Sequence, residues 1–366
     1  MFPFPAVLYK SYKKWYISVV YCTIFSVSKG IIIMHRNILR WIIVAIMLIV
    51  LVFTLSCPYI AQAEGVLPLD FLEGGKPLKG ENWSFEGKLP VSYEDSTISV
   101  TFERDEITHI LSSGNSRGKK VKDETWVVRI KIKDVSQLRT AVATDSYDGR
   151  GQADAVAIAN SKNAVVAMNG DFFKYEYDVG YVVRQGELIR DATGNSRGRI
   201  FDMLIIDSEG DFHVVYSATT EKIEAYVAEN LTPLGRTILD TFNIGPVLML
   251  NGEVQDPAES EVARQGTYEW KTPIQRICIV QTGHLEYAIV ETGGKGRQTS
   301  GFTMMEFAEY VAEKCPGAIL AYNLDGGGSA SLIAWKSEKA GKGDMICRNP
   351  GHRNITDILY FASAED

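Results

Sequence analysis

The sequence predicts an α+β (mixed α/β) domain: a twisted mixed sheet with much antiparallel character, flanked by helices. Three observations point there. Short alternating segments are joined by tight-turn signals, two helical stripes stand out among them, and each of those helices runs into an apolar strand that ends in Asn-x-Asp. At 366 residues, with 46% hydrophobic and 23% charged side chains, the chain can bury a sizeable core and lacks the polar bias of a disordered protein.

In chain order, the N-terminus stands apart from the fold. From Trp41 to Ser56 the chain is almost wholly apolar, with Arg36 and Arg40 before it and Ala61-Gln62-Ala63 after it. This pattern predicts a signal peptide or membrane anchor over 34–63, either cleaved after Ala63 or retained. The basic residues precede the apolar run, so the positive-inside rule places everything beyond Ala63 outside the cytoplasm, secreted or anchored to the cell membrane. Residues 1–33 read as an upstream extension, with translation expected to start at Met34. Glycines and prolines over 64–89 predict a linker, leaving 90–366 as the domain.

Within the domain, Ile98, Val100 and Phe102 alternate with polar neighbours, as do Trp126, Val128, Ile130 and Ile132, which marks half-buried strands. Apolar runs flank Ser208-Glu-Gly-Asp211, Asn251-Gly252 and Thr282-Gly-His284, which predicts three hairpins. Helices are expected over roughly 151–163 and 303–315. In the second, Met304, Phe307, Ala308, Val311 and Cys315 share a stripe before Pro316-Gly317 ends it.

The two helix–strand units match each other. Ala164-Val-Val-Ala-Met-Asn-Gly-Asp171 aligns without a gap on Ala318-Ile-Leu-Ala-Tyr-Asn-Leu-Asp325. A continuous apolar run implies a strand buried on both faces, with the polar residues where the chain leaves the sheet, and strand ends are where such proteins place ligands. After the second unit, Gly326, Gly327 and Gly328 precede Ser329; three glycines allow a tight bend whose N–H groups can converge on an anion. No Lys follows in the arrangement of a nucleotide-binding P-loop.

Charge and cysteine count exclude other classes. Thirty-eight Lys and Arg against 45 Asp and Glu give a net charge of -7, which argues against a nucleic-acid partner. Five scattered cysteines make no disulfide framework and no zinc spacing. Cys278, on an apolar strand, reads as a buried small hydrophobe.

Six blocks follow one another in the order found in phosphodiester glycosidases: Asn169-Gly-Asp-Phe-Phe173, Gly180-Tyr-Val-Val-Arg-Gln-Gly-Glu187, Asn243-Ile-Gly-Pro246, Gln275-Arg276, Asn323-Leu-Asp-Gly-Gly-Gly-Ser329 and Arg353-Asn-Ile-Thr-Asp357. From Leu138 to Phe361 the chain resembles that family, which includes N-acetylglucosamine-1-phosphodiester alpha-N-acetylglucosaminidase and bacterial exopolysaccharide-related proteins. It departs from the pattern at Arg276-Ile-Cys-Ile-Val280, which keeps the arginine of the usual Arg-Thr-Ala-Ile-Gly and loses the glycine. The resemblance implies an extracytoplasmic hydrolase of sugar-1-phosphodiesters in cell-envelope or exopolysaccharide material. A non-catalytic envelope module that binds anionic glycopolymer or assists exopolysaccharide assembly is the alternative, and a metal-dependent phosphodiesterase cutting P–O is a third.

Glycosidic cleavage of such a diester expels a phosphomonoester, already a good leaving group. The site therefore needs charge stabilisation around the phosphate and a carboxylate near the anomeric carbon. Asp325 and Asp171 are the candidate catalytic carboxylates. Arg276 and Arg353 are expected to grip the phosphate, with Gly326, Gly327, Gly328 and Ser329 beside it, and Asn169 and Asn323 to meet sugar hydroxyls. Arg184 and Arg190 rank lower, as exposed residues flanking the Gln185-Gly186 turn, and His352 reads as a surface histidine. Asp171 and Asp325 also offer the oxygen ligands that Ca2+ or Mg2+ prefer, a reading placed behind catalysis.

Overall fold

The computed structural model describes residues 66–68, 73–144, 151–171, 180–193, 200–243, 245–260, 263, 270–294, 299–339, 341–347 and 351–366. The expected extension and the signal or anchor segment lie outside the described residues. Among the described residues, no helix is long and apolar enough to cross a membrane.

Two antiparallel sheets stack between two helices. The larger has nine strands in the order β1-β2-β3-β4-β15-β14-β16-β12-β13. These are β1 (Trp83–Glu86), β2 (Leu89–Glu94), β3 (Ile98–Ile110), β4 (Lys120–Ile132), β12 (Val247–Leu250), β13 (Glu253–Val254), β14 (Arg276–Gly283), β15 (Glu286–Thr292) and β16 (Leu320–Asn323). The smaller has five, in the order β18-β17-β6-β19-β5: β5 (Leu138–Val142), β6 (Ala164–Asn169), β17 (Leu332–Trp335), β18 (Gly343–Cys347) and β19 (Asp357–Ala362). A three-stranded sheet of β9 (Met203–Asp207), β10 (Phe212–Val215) and β11 (Ile238–Phe242), with helix α2 (Thr220–Tyr226), and the pair β7 (Gly180–Arg184) and β8 (Glu187–Ala192) complete the described elements that bear on the site.

The period of two in a strand decides which layer each residue joins. On β14, Ile277 and Ile279 enter the core between the two sheets, whereas Cys278 and Val280 enter the core under helix α3 (Met304–Lys314). On β19, Leu359 and Phe361 face the inter-sheet core, while Ile358, Tyr360 and Ala362 pack with Ala155, Ile158 and Ala159 of helix α1 (Ala155–Ser161). Both expected helices therefore cover the outer face of a sheet. The first is shorter than the pattern suggested, because Asp154 caps it by accepting from Val156 N–H. The second starts at a capping box of Thr303 and Glu306. The three hairpins form as β9–β10, β12–β13 and β14–β15, with Asn251 and Gly252 both at positive φ (51° and 81°) in the second.

Two expectations need correction. Every ladder among the described residues is antiparallel, so the sheets are not mixed. The stretch expected as a linker is, where described, part of the domain, and the compact unit is Glu64–Asp366. Leu67 is buried beside α1, Arg139 holds the carbonyls of Pro68 (2.6 Å) and Glu73 (3.0 Å), and Trp83 stacks on Trp335 at 5.4 Å. The glycines that suggested flexibility serve close approach: a Cβ on Gly74 would strike the Lys162 backbone, and one on Gly75 would strike Ala362.

Candidate active site

The candidate site lies where strands of both sheets end. β6 and β16 stop at Asn169 and Asn323, β19 starts at Asp357, and the glycine run carries the chain from β16 in the larger sheet to β17 in the smaller. The two Asn-x-Asp strand ends are joined by side chains. Asn169 Nδ2 donates to the Asp325 carbonyl (2.8 Å), and its Oδ1 accepts from Ser331 N–H (3.0 Å). Asn323 Nδ2 donates to the Gly245 carbonyl (2.7 Å). Both asparagines are buried, and these bonds tie backbone segments together.

The glycine run fits between two carbonyls. A Cβ on Gly326 would stand 2.8 Å from Gln275 O and one on Gly328 2.7 Å from Gly351 O, while Gly327 has φ of +60°. Gly327 N–H donates to Gln275 O (2.8 Å), so that amide braces the loop. Gln275 is held in turn by Glu291, which accepts from its Nε2 at 2.6 Å and whose carboxyl burial pushes up to about 8. Arg276 is wholly buried; its Nε donates to Phe302 O (3.0 Å) and its Nη2 to Thr272 O (2.8 Å).

Arg353 is placed differently. Its side chain is 46% exposed, yet Nη2 reaches Asp325 Oδ2 (3.0 Å) and Nε reaches Ser329 Oγ (2.8 Å). Asp325 itself is only 7% exposed. Burial lifts its carboxyl from 3.8 to about 6, against the lowering by Ser329 and Arg353 and with a further push from the charge of Asp171. A buried carboxyl that titrates near neutrality beside a half-exposed guanidinium combines acid–base capacity with an anion contact at one point.

Asp171 is held from two sides. Arg184 Nη2 donates to Oδ1 (3.1 Å) and Asn243 N–H to Oδ2 (2.9 Å). Arg184, expected at the surface, is wholly buried: its guanidinium lies 4.5 Å over the Phe242 ring, and the same Nη2 donates to Asp357 Oδ2 (2.9 Å). Burial raises the Asp357 carboxyl, Arg184 opposes this and the Asp171 charge adds to it. His352 pairs with Asp154 (3.1 Å) and Cys278 is buried. Among the described residues, no group of three or more His, Cys, Asp or Glu is arranged to hold a metal ion.

The phosphodiester glycosidase family model matches residues 162–362, more than half of the chain and every element just described around the site. The chain belongs to the phosphodiester glycosidase family. At the level of the family it is thus a hydrolase of glycosyl phosphodiesters. No curated protein matches the sequence. Among solved structures, the chain is similar to the catalytic domain of zebrafish N-acetylglucosamine-1-phosphodiester alpha-N-acetylglucosaminidase, auto-inhibited by its pro-peptide, with a TM-score of 0.52, 14% identity, and coverage of 73% of this chain and 88% of that one. That likeness supports the fold. Weaker matches are a hypothetical protein from Synechocystis (TM-score 0.45, 16% identity, 72% of this chain and 62% of that) and a putative exported protein from Burkholderia pseudomallei K96243 (0.40, 15%, 67% and 75%). Of the residues that organise this candidate site, the sequence undervalued Arg184 and left out Asp357. Both stand inside the shared motif blocks, Arg184 as the last residue of β7 and Asp357 as the first of β19, and that placement was the available signal.

Proposed function

We propose that this glycosidase hydrolyses the anomeric C–O bond of sugar-1-phosphodiesters, with Asp325 and Asp171 as the catalytic carboxylates and Arg353 as the phosphate contact. The observation that carries the reading is the contact between buried Asp325 and half-exposed Arg353. In this reading a water oxygen bonds to the anomeric carbon, the C–O bond breaks, and its electron pair leaves with the phosphomonoester. A carboxylate takes the water proton, and the guanidinium meets the charge growing on the leaving group. A carboxyl titrating at about 6 is suited to exchange that proton near neutral pH.

The remaining residues support these two. Asn169 and Asn323 act through the backbone they hold, Arg276 backs the glycine loop from beneath, and Gly326, Gly327, Gly328 and Ser329 shape the rim around Arg353. The domain works outside the cytoplasm, secreted or held at the membrane, as Arg36 and Arg40 before the 41–56 apolar segment favour. Its substrates are glycosyl phosphodiesters of envelope or exopolysaccharide material. Incubation with a panel of glycosyl-1-phosphodiesters, with products identified by mass and anomeric NMR, tests this. Release of free sugar and an intact phosphomonoester is expected; binding without turnover would instead favour the glycopolymer-binding module.

A further inference from the structure

We propose that Arg184 and Asp357 are positioning residues for the catalytic carboxylates, with Asp357 holding Arg184 in the pose that fixes Asp171 near Asp325. The inference rests on the hydrolytic reading of Asp171 and Asp325 given above.

The geometry is specific. One nitrogen of Arg184, Nη2, serves both carboxylates, at 3.1 Å to Asp171 and 2.9 Å to Asp357. Nη1 is tied to the Val183 carbonyl (3.0 Å) and to the Thr241 carbonyl, and the guanidinium plane rests on Phe242. Asp357 therefore decides where Nη2 can point, and Nη2 decides one of the two oxygens of Asp171. The other oxygen is set by Asn243 N–H. Asp240 lies near enough for its charge to act on Arg184 as well, so this guanidinium sits in a field of carboxylates.

Gly170 makes the arrangement possible. Its N–H donates to Asp357 O (3.0 Å), and a Cβ at this position would run into the Asp357 carboxylate. The residue between Asn169 and Asp171 is thus a glycine because Asp357 occupies the space of a side chain there. A guanidinium needing only neutralisation would be satisfied by Asp171 alone. The second carboxylate adds repulsion against Asp171 in a buried place, an arrangement more readily explained by control of orientation than by stability.

The test uses Asp357→Asn, nearly isosteric, and Gly170→Ala, which attacks the same contact from the other side. Two readouts are taken on the purified protein: the 1H–15N signal of the Asn243 backbone amide, which reports the Asp171 carboxylate without requiring activity, and kcat and KM on a glycosyl phosphodiester that the parent hydrolyses. In Asp357→Asn the Asn243 signal is expected to shift while that of Val280, on β14, stays. kcat should fall about tenfold to a hundredfold with KM within about twofold. Gly170→Ala should reproduce both effects, and the double variant should be no worse than the more damaged single one. An unmoved Asn243 signal, a shift with unchanged kcat, or a kcat loss that merely follows the folded fraction would overturn the proposal. If the parent hydrolyses no glycosyl phosphodiester, the hydrolytic reading fails, and the Asn243 signal still decides whether Asp357 positions Asp171.

Discussion

Replacing Asp325 by Asn should make the protein more stable at neutral pH while removing its turnover. The carboxyl is 7% exposed and burial lifts it from 3.8 to about 6. The folded state therefore holds this proton more tightly than the unfolded state, so stability falls as pH rises between about 4 and 6 and stays lowered above that range. At 1.36 kcal/mol per pH unit, the gap corresponds to about 3 kcal/mol at pH 7.5. The amide carries no charge and escapes this penalty. What it gives up is the ion pair with Arg353, whose side chain is 46% exposed, a contact worth under about 1 kcal/mol. Asp325→Asn should then exceed the parent by about 2–3 kcal/mol at pH 7.5, with the advantage vanishing near pH 4. Urea unfolding of both proteins at pH 4.5 and 7.5 measures this as a difference of differences, in which Asp357, Glu291 and the other shifted carboxyls cancel. A variant that is less stable than the parent at pH 7.5 would show Asp325 to be an anchoring ion-pair partner and would refute the reasoning.

Further consequences concern the surroundings. Arg353→Lys keeps the charge and loses the fork that reaches Asp325 and Ser329 together, so KM should rise about tenfold with little change in Tm; an unchanged KM would remove Arg353 from substrate binding. Glu291 titrates at about 8 in the fold, which makes stability fall from about pH 4.5 up to 8; Glu291→Gln should melt higher than the parent at pH 8.5 and equally near pH 5, and equal melting at both would show that its carboxyl is not buried in neutral form. Gly328→Ala places a methyl 2.7 Å from Gly351 O and must displace the glycine loop, which should lower both activity and Tm. Gly317→Ala, at φ of +73° in open space, should cost about 1 kcal/mol and leave kcat intact, and equal activity losses in the two would refute the loop argument.

How far the fold was legible followed how local each signal is. Turn chemistry at Asn251-Gly252 and the Met304–Cys315 stripe ended by Pro316-Gly317 are short-range signals, and the corresponding hairpin and helix form as read. The matched apolar strands also read correctly as buried on both faces, since β6 places Val166 and Met168 between the sheets and Ala167 under α1. Their division between two sheets was not legible, because β16 and β6 choose partners, Cys278 and Leu332 among them, far away in the chain. For the site, the composition of the blocks pointed to the right loops but not to the placement of charge. Arg184 and Arg276 are both wholly buried and Arg353 is not, a difference set by which strand continues under which sheet. The glycines at 74 and 75 misled for the same reason: close packing and flexibility use the same residue, and only the neighbour, here Lys162 or Ala362, tells them apart.

Hydrolysis in water enriched in 18O examines most directly whether this site breaks a glycosidic bond. With a glycosyl-1-phosphodiester substrate, attack at the anomeric carbon puts the label on C1 of the released sugar and leaves the phosphomonoester unlabelled, the result expected here. Label in the phosphate, with the phosphate group retained on the sugar, would mean that the P–O bond is cut and that Asp325 and Arg353 serve a different reaction.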